Sequence, residues 1–303
     1  NFYEFLQSLC SFRMTSFACQ FWSLGHWNLG FVCDLEFVIW DFLNFDKYQS
    51  LVMMLLAIDI GNTNISLGLF KEGKIVDKWK VSSSRYGDLF KGRKKRDIEA
   101  IIICSVVPAL EQRVEKSLQE ELNILPLVVG KNVSVALPNL YQEPKQVGQD
   151  RLVNSLAAAE IYGFPVIVID FGTAITFDFV SQNREYLGGI IVPGIKLSVD
   201  ALSQKAALLP TIDLVNLSEG FPKDLLGRST VQSMLAGAAY GFGGLCDEII
   251  RKMRERYGRD ILTVGTGGDI SFIKDYCSQI NKIDEELSLR GLWLIYKQKN
   301  REK

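Results

Sequence analysis

The sequence predicts an α/β protein of two related halves, each a mixed sheet flanked by helices, behind an atypical aromatic-rich N-terminal extension. Three observations predict it. Strands come first as hairpins and then alternate with helices. An apolar strand running into Ile-Asp-x-Gly and a small polar turn occurs at Asp59 and again at Asp170, 111 positions on. Composition also changes abruptly near residue 53: residues 1–53 hold nine of the 18 Phe, three of the five Trp and the only His.

The boundaries expected are an extension over 1–53, a first lobe with its connecting helix over 54–162, and a second lobe over 163–303. Residues 1–52 are expected to precede the natural start at Met53-Met54 and to lie outside the native fold. Twenty uncharged residues, 14–33, have the length of a membrane helix, but Gln20, His26 and Asn28 are among the polar residues that break them. With Glu4 near the start, the segment lacks the basic, apolar, small-residue order of an export signal. A cytoplasmic protein without a membrane role is expected.

Charge and side-chain inventory exclude whole chemistries. With 34 Lys+Arg against 35 Asp+Glu, there is no basic surplus to hold nucleic acid, and the run Lys91, Arg93, Lys94, Lys95, Arg96 reads as a solvated loop. Six cysteines form no Cys-x-x-Cys pair, and one His leaves neither a zinc set nor a hydrolase triad. Acid-base work falls to Asp, Glu, Lys or Tyr.

Along the chain, residues 55–70 read as strand, Gly-Asn-Thr-Asn turn and strand, and 75–81 adds a third. Residues 100–107 form a buried strand before Pro108 and a helix with apolar spacing at Leu110, Val114 and Leu118; 125–129 is the next strand. The second half repeats the order: a hairpin over 166–180, an arm over 184–192, a long helix over 228–257 and a buried strand over 261–264. That strand ends in Gly265-Thr266-Gly267-Gly268, suited to an adenosine. A cleft between the halves is expected where both Asp-tipped turns meet, with residues 139–162 along it.

At the first turn, Asp59-x-Gly61-Asn62-Thr63-Asn64, glycine admits close backbone approach and Thr63 and Asn64 add side-chain donors, a cradle for phosphate. Asp59 can hold hydrated Mg²⁺, which takes one or two carboxylates. Alone, such a turn is an ordinary connection. Its recurrence as Asp170-x-Gly172-Thr173-x-x-Thr176-x-Asp178 gives a nucleotide triphosphate two opposed grips. Two other nucleotide patterns fail: Gly68-x-x-x-x-Gly73-Lys74 lacks the Ser/Thr and the following helix of a phosphate loop, and Gly241-Phe242-Gly243-Gly244 lacks the third glycine of a dinucleotide fingerprint. Asp150, in Gly148-Gln149-Asp150-Arg151, is either a helix N-cap or the base that takes a proton from an attacking hydroxyl, with Arg151 adding positive charge.

Asp59-Ile60-Gly61-Asn62-Thr63-Asn64, Gly148-Gln149-Asp150-Arg151, Asp170-Phe171-Gly172-Thr173-Ala174-Ile175-Thr176-Phe177-Asp178 and Gly188-Gly189-Ile190-Ile191-Val192-Pro193-Gly194 together resemble the type III pantothenate kinases, over about residues 54–296. The resemblance implies duplicated ribonuclease H-like lobes of the actin-like ATPase superfamily and ATP-dependent phosphorylation of pantothenate, the first step of coenzyme A synthesis. It further implies that Asp59, Ile60, Gly61, Asn62, Thr63, Asn64, Ile65, Ser66 and Thr173 bind ATP, and that Asp150 accepts the proton. Tyr141, Gly148, Gln149, Asp150, Arg151 and Thr230 would contact pantothenate, Asp170 would bind a monovalent cation (K⁺ or NH₄⁺) beside Mg²⁺, and the enzyme would be a homodimer. Residues 1–52 depart from the family pattern. Alternatives are a kinase of the same superfamily acting on another small alcohol, and a non-catalytic nucleotide-binding regulator of the Bvg accessory factor type.

Overall fold

The computed structural model describes residues 54–301 except 94, 96, 215, 216 and 218–220. The chain divides into two units, 1–52 and 53–303, and the described residues lie in the second. The expectation for the aromatic extension therefore falls outside the described residues.

Two five-stranded sheets carry the same topology. The first comprises β1 (Met54–Ile60), β2 (Asn64–Lys71), β3 (Lys74–Ser82), β4 (Ile98–Ser105) and β5 (Leu127–Val128), in the order β3-β2-β1-β4-β5. The second comprises β6 (Val166–Phe171), β7 (Ala174–Val180), β8 (Tyr186–Pro193), β9 (Leu262–Thr266) and β10 (Lys282–Ile283), in the order β10-β9-β6-β7-β8. In each, a three-stranded antiparallel meander is followed by two strands parallel to the first.

Helices cover the sheets: α1 (Pro108–Leu122), α2 (Gln149–Tyr162), α3 (Ile195–Lys205), α4 (Thr230–Tyr257), α5 (Ile270–Ile273) and α6 (Leu287–Arg301). Proline at the first position starts α1, where its missing N–H costs nothing. Ser229 caps α4, its hydroxyl accepting from the Gln232 N–H at 3.2 Å.

Strand alternation sorts the side chains into three cores. Leu56, Ile58 and Ile60 face α1, while Leu55 and Ala57 face a central layer made by α2 and α6. On β6, Ile167, Ile169 and Phe171 face α3 and α4, while Val166 and Val168 face that same central layer. By this alternation Asp59 and Asp170 both project toward α2, which packs against β4 on one side and β6 and β7 on the other. Although last in sequence, α6 packs on α2 and on β1, β2 and β4.

Local differences from the sequence reading have local causes. The arm expected from residue 184 begins at Tyr186, because Ser181 and Arg184 close a turn with Arg184 at φ 60°. The strand expected over 125–129 is only Leu127–Val128. In the basic run, Arg93 pairs with Asp77 and lies 4.4 Å over the Trp79 ring, and Lys95 pairs with Glu121. These cations are spent on the first sheet's own surface. No helix among the described residues is long and apolar enough to cross a membrane.

Candidate active site

The two Asp-tipped turns meet. Gly61 N–H donates to Asn64 O at 3.0 Å and Gly172 N–H to Ala174 O at 3.1 Å, so each glycine closes its own hairpin and its N–H is spent there. Ser83 holds the first turn from behind, its N–H on Thr63 O at 3.0 Å and its hydroxyl on Gly61 O at 2.8 Å. With those carbonyls directed at Ser83, exposed Asn62, Thr63 and Asn64 form the open side of the turn. Ile60 and Ile65 are buried beneath it, so any contact they make with a ligand is through the backbone. Across the gap, Thr63 Oγ1 lies 3.2 Å from Thr173 Oγ1. The turns thus form one continuous rim rather than two jaws standing apart.

Below the rim, Asp59 and Asp170 flank α2. Asn154, 1 % exposed, donates its Nδ2–H to Asp170 Oδ2 at 3.0 Å and accepts from the Ser288 hydroxyl at 2.8 Å. Ser288 also hydrogen-bonds Asp59. One amide and one hydroxyl therefore link the acids of both sheets. On its other edge, Asp170 Oδ1 abuts Gly267, which has φ +98° and whose Cβ, if present, would stand 2.5 Å from that oxygen. Only glycine suits that position.

Asp150 completes an acidic cluster. Burial pushes the Asp59 carboxyl up to about 7, aided by the charge on Asp150 and opposed by Ser288 and Lys80. Burial likewise pushes Asp170 up to about 8, aided by Asp150, Asp59 and Asp178 and opposed by Asn154. Asp150 is raised by burial, against the Arg151 N–H and guanidinium. Its position answers the capping question: the N-cap of α2 is Gly148, with no side-chain cap, and Asp150 Oδ1 accepts from the adjacent Arg151 N–H at 2.8 Å. A Cβ on Gly148 would strike that same carboxylate oxygen, so a larger residue there would displace the Asp150 side chain.

The cluster suits a hard cation. The donors are carboxylates, an amide and a hydroxyl, and burial in the cluster disfavours their charges without a positive partner. Among the described residues no three such groups converge as a ready-made metal cage.

Arg151 occupies a second, adjoining group. Its Nε donates to Asp178 Oδ1 at 2.9 Å, and Asp178 also accepts from the Tyr186 hydroxyl at 2.7 Å and the Thr176 hydroxyl at 3.0 Å. Burial would lower the Arg151 pKa, but the Asp178 charge and hydrogen bond outweigh it and raise it. Its Nη2 lies 2.7 Å from Asp178 Oδ1, off the hydrogen-bond line, and is a buried N–H without an acceptor. A Cβ on Gly189 would stand 2.6 Å from that nitrogen. Tyr141, on the segment whose Leu140 N–H bonds Tyr186 O, lies 6.5 Å from the Tyr186 ring and touches Gly188. Gln149 begins α2 beside Gly130. Ser66 is the β2 partner of Asp59.

Thr230 is the expected site residue that these contacts do not include. It is exposed on the first turn of α4, a helix that packs with α3 and α5, and makes no hydrogen bond to the cluster among the described residues. Conversely, Asn154, Ser288, Tyr186 and Ser83 were not singled out from sequence. Asn154 carried a signal, one helical turn beyond Asp150 on a helix expected at the cleft.

Paired sheets of this order, with an acid at the first hairpin of each, define an actin-like fold with a nucleotide-type site. The solved structure of a putative Baf family transcriptional activator from Campylobacter jejuni has this fold, with a TM-score of 0.50, 22% identity, and coverage of 81% of this chain and 99% of that one. The family profile for type III pantothenate kinase matches residues 55–252. The curated type III pantothenate kinases of Moorella thermoacetica and Myxococcus xanthus are 41% and 40% identical over 255 residues, covering 80% of this chain and 98% of each relative. The chain belongs to the type III pantothenate kinase family.

Proposed function

We propose that the protein transfers the γ-phosphoryl group of ATP to the primary hydroxyl of pantothenate, forming 4'-phosphopantothenate at the start of coenzyme A synthesis. The carrying observation is that the two Asp-tipped hairpins meet, Thr63 Oγ1 lying 3.2 Å from Thr173 Oγ1, above Asn154 of α2, which holds Asp170 at 3.0 Å. Family membership supplies the acceptor.

In this reading the Asn62–Asn64 turn and the Thr63 and Thr173 hydroxyls bind the phosphates. Asp150 accepts the acceptor's proton as its oxygen attacks. Burial raises the Asp150 carboxyl, which makes its ionised form a stronger base. Tyr141 and Arg151 orient pantothenate, and the unspent Arg151 N–H suits its anionic end. Asp59 would hold Mg²⁺ and Asp170 K⁺ or NH₄⁺, and such cations would neutralise charge building on the phosphates. The lobes over 54–162 and 163–303 present these groups from two sides.

Exposed Ile190 and Ile191 on β8 and Leu197 and Leu202 on α3 are apolar surface fitted to a homodimer. Coupled measurement of ADP release with and without pantothenate, against a sugar panel, in K⁺ and in Na⁺, tests the reading. Pantothenate-dependent release that is greatest in K⁺ is expected; release indifferent to pantothenate defeats it.

A further inference from the structure

The face of β3 that looks toward α6 carries two lysines two positions apart, and the chain uses them differently. Lys78 Nζ donates to Glu286 Oε1 at 2.7 Å, just ahead of α6. Lys80 makes no hydrogen bond or ion pair with any described residue. Strand register fixes its direction: Ser66 pairs with Asp59 on one side and Lys80 on the other, so the three side chains form one row on one face of the sheet.

That row ends beside the second sheet. Lys80 Nζ is 3.8 Å from where a Cβ of Gly268 would sit, in the glycine turn after β9 of the second sheet. Its charge opposes the raised pKa of Asp59 at the end of β1 and of Asp269 beyond that turn. An exposed ammonium thus spans the two sheets with its three side-chain donors unspent, beside Asp59, Asp150 and Asp170, whose carboxyls, once ionised, add to the charge a triphosphate brings. Coulomb repulsion from those acids works against a polyanion unless protein cations offset it. A lysine, a compact charge with three rotatable donors, suits phosphate oxygens.

We infer that Lys80 is a direct ligand of the ATP triphosphate, reaching it from β3 between Asp59 and the Gly267-Gly268 turn. This rests on the phosphotransfer reading above. Lys80→Gln and Lys80→Arg test it, by calorimetric titration with ATP alone and by steady-state kinetics. The Gln variant is expected to bind ATP about 10- to 100-fold more weakly, with the pantothenate KM and the melting temperature unchanged. The Arg variant should recover most of the loss. Unchanged ATP affinity in Lys80→Gln overturns the assignment, as does a lowered melting temperature at unchanged affinity, which would make Lys80 a strut between the sheets. Wild-type protein that binds ATP but consumes none with pantothenate would defeat the acceptor assignment, while the titration still judges Lys80.

Discussion

The hydroxyls of Thr63 and Thr173, on turns 110 positions apart, lie 3.2 Å from each other. The equivalent turns of the two sheets are thereby in direct contact, and whatever one turn binds, the other feels.

That contact predicts a nucleotide phenotype. Thr173→Val keeps the shape and deletes the hydroxyl, and should raise the ATP KM about tenfold, the scale of one hydrogen bond to a charged group, without moving the pantothenate KM. Thr173→Ser should stay near wild type. Steady-state kinetics with each substrate varied reads both; equal shifts in the two constants would count against a phosphate role.

Asp150→Asn should lower kcat by about 10²- to 10⁴-fold, the range for a general base, with ATP affinity nearly retained. Because the Asp150 charge raises Asp59 and Asp170, the variant should also melt higher than wild type at pH 8 without nucleotide. Full turnover in the variant would leave Asp150 no part in proton transfer.

Stability should fall with rising pH in the ligand-free protein. Folded Asp59 and Asp170 keep their protons to about 7 and about 8, whereas the unfolded chain releases them near 4. Between roughly pH 4 and 8 the folded state therefore binds more protons, and each acid costs up to about 1.4 kcal/mol per pH unit. The stabilisation is full below pH 4 and is lost as pH climbs through those folded values; the two acids titrate as a pair. Melting curves from pH 5 to 8, with and without Mg²⁺ and ATP, should diverge most at pH 8. A profile that is flat without ligand would contradict the buried cluster.

Arg151 depends on Asp178. Removing the carboxylate by Asp178→Ala strands a buried guanidinium and should cost about 3–5 kcal/mol, read by denaturant unfolding. Asp178→Asn keeps the shape and should raise the pantothenate KM more than the ATP KM. Gly189→Ala, whose methyl would collide with Phe177 O and crowd Arg151 Nη2, should resemble the Ala variant. A Gly189→Ala protein of wild-type stability would mean that β8 yields there.

Much of this was legible in sequence because it is periodic or repeated. Alternation along residues 55–60 and 166–171 puts Asp59 and Asp170 on the faces opposite Ile58 and Ile169, and the repeated Asp-x-Gly announces equivalent turns. What escaped was long-range and aperiodic. Ser288 meets Asn154 across 134 positions only because α6 returns to the first sheet, and Arg151 finds Asp178 across 27. Ser83 looks like any turn serine until its N–H and hydroxyl are seen holding the Gly61 and Thr63 carbonyls. That Asp150 is not the N-cap of α2 could not be read from sequence, because the start of the helix at Gly148 was not legible there.

The docking of α6 has a consequence for synthesis. Ser288, which braces Asp59 and Asn154, belongs to a helix that follows both sheets in sequence, so a ribosome must deliver all ten strands before the first strand's carboxylate acquires its final neighbours. Assembly of the two sheets alone leaves the Asp59 and Asn154 partners incomplete until that helix docks.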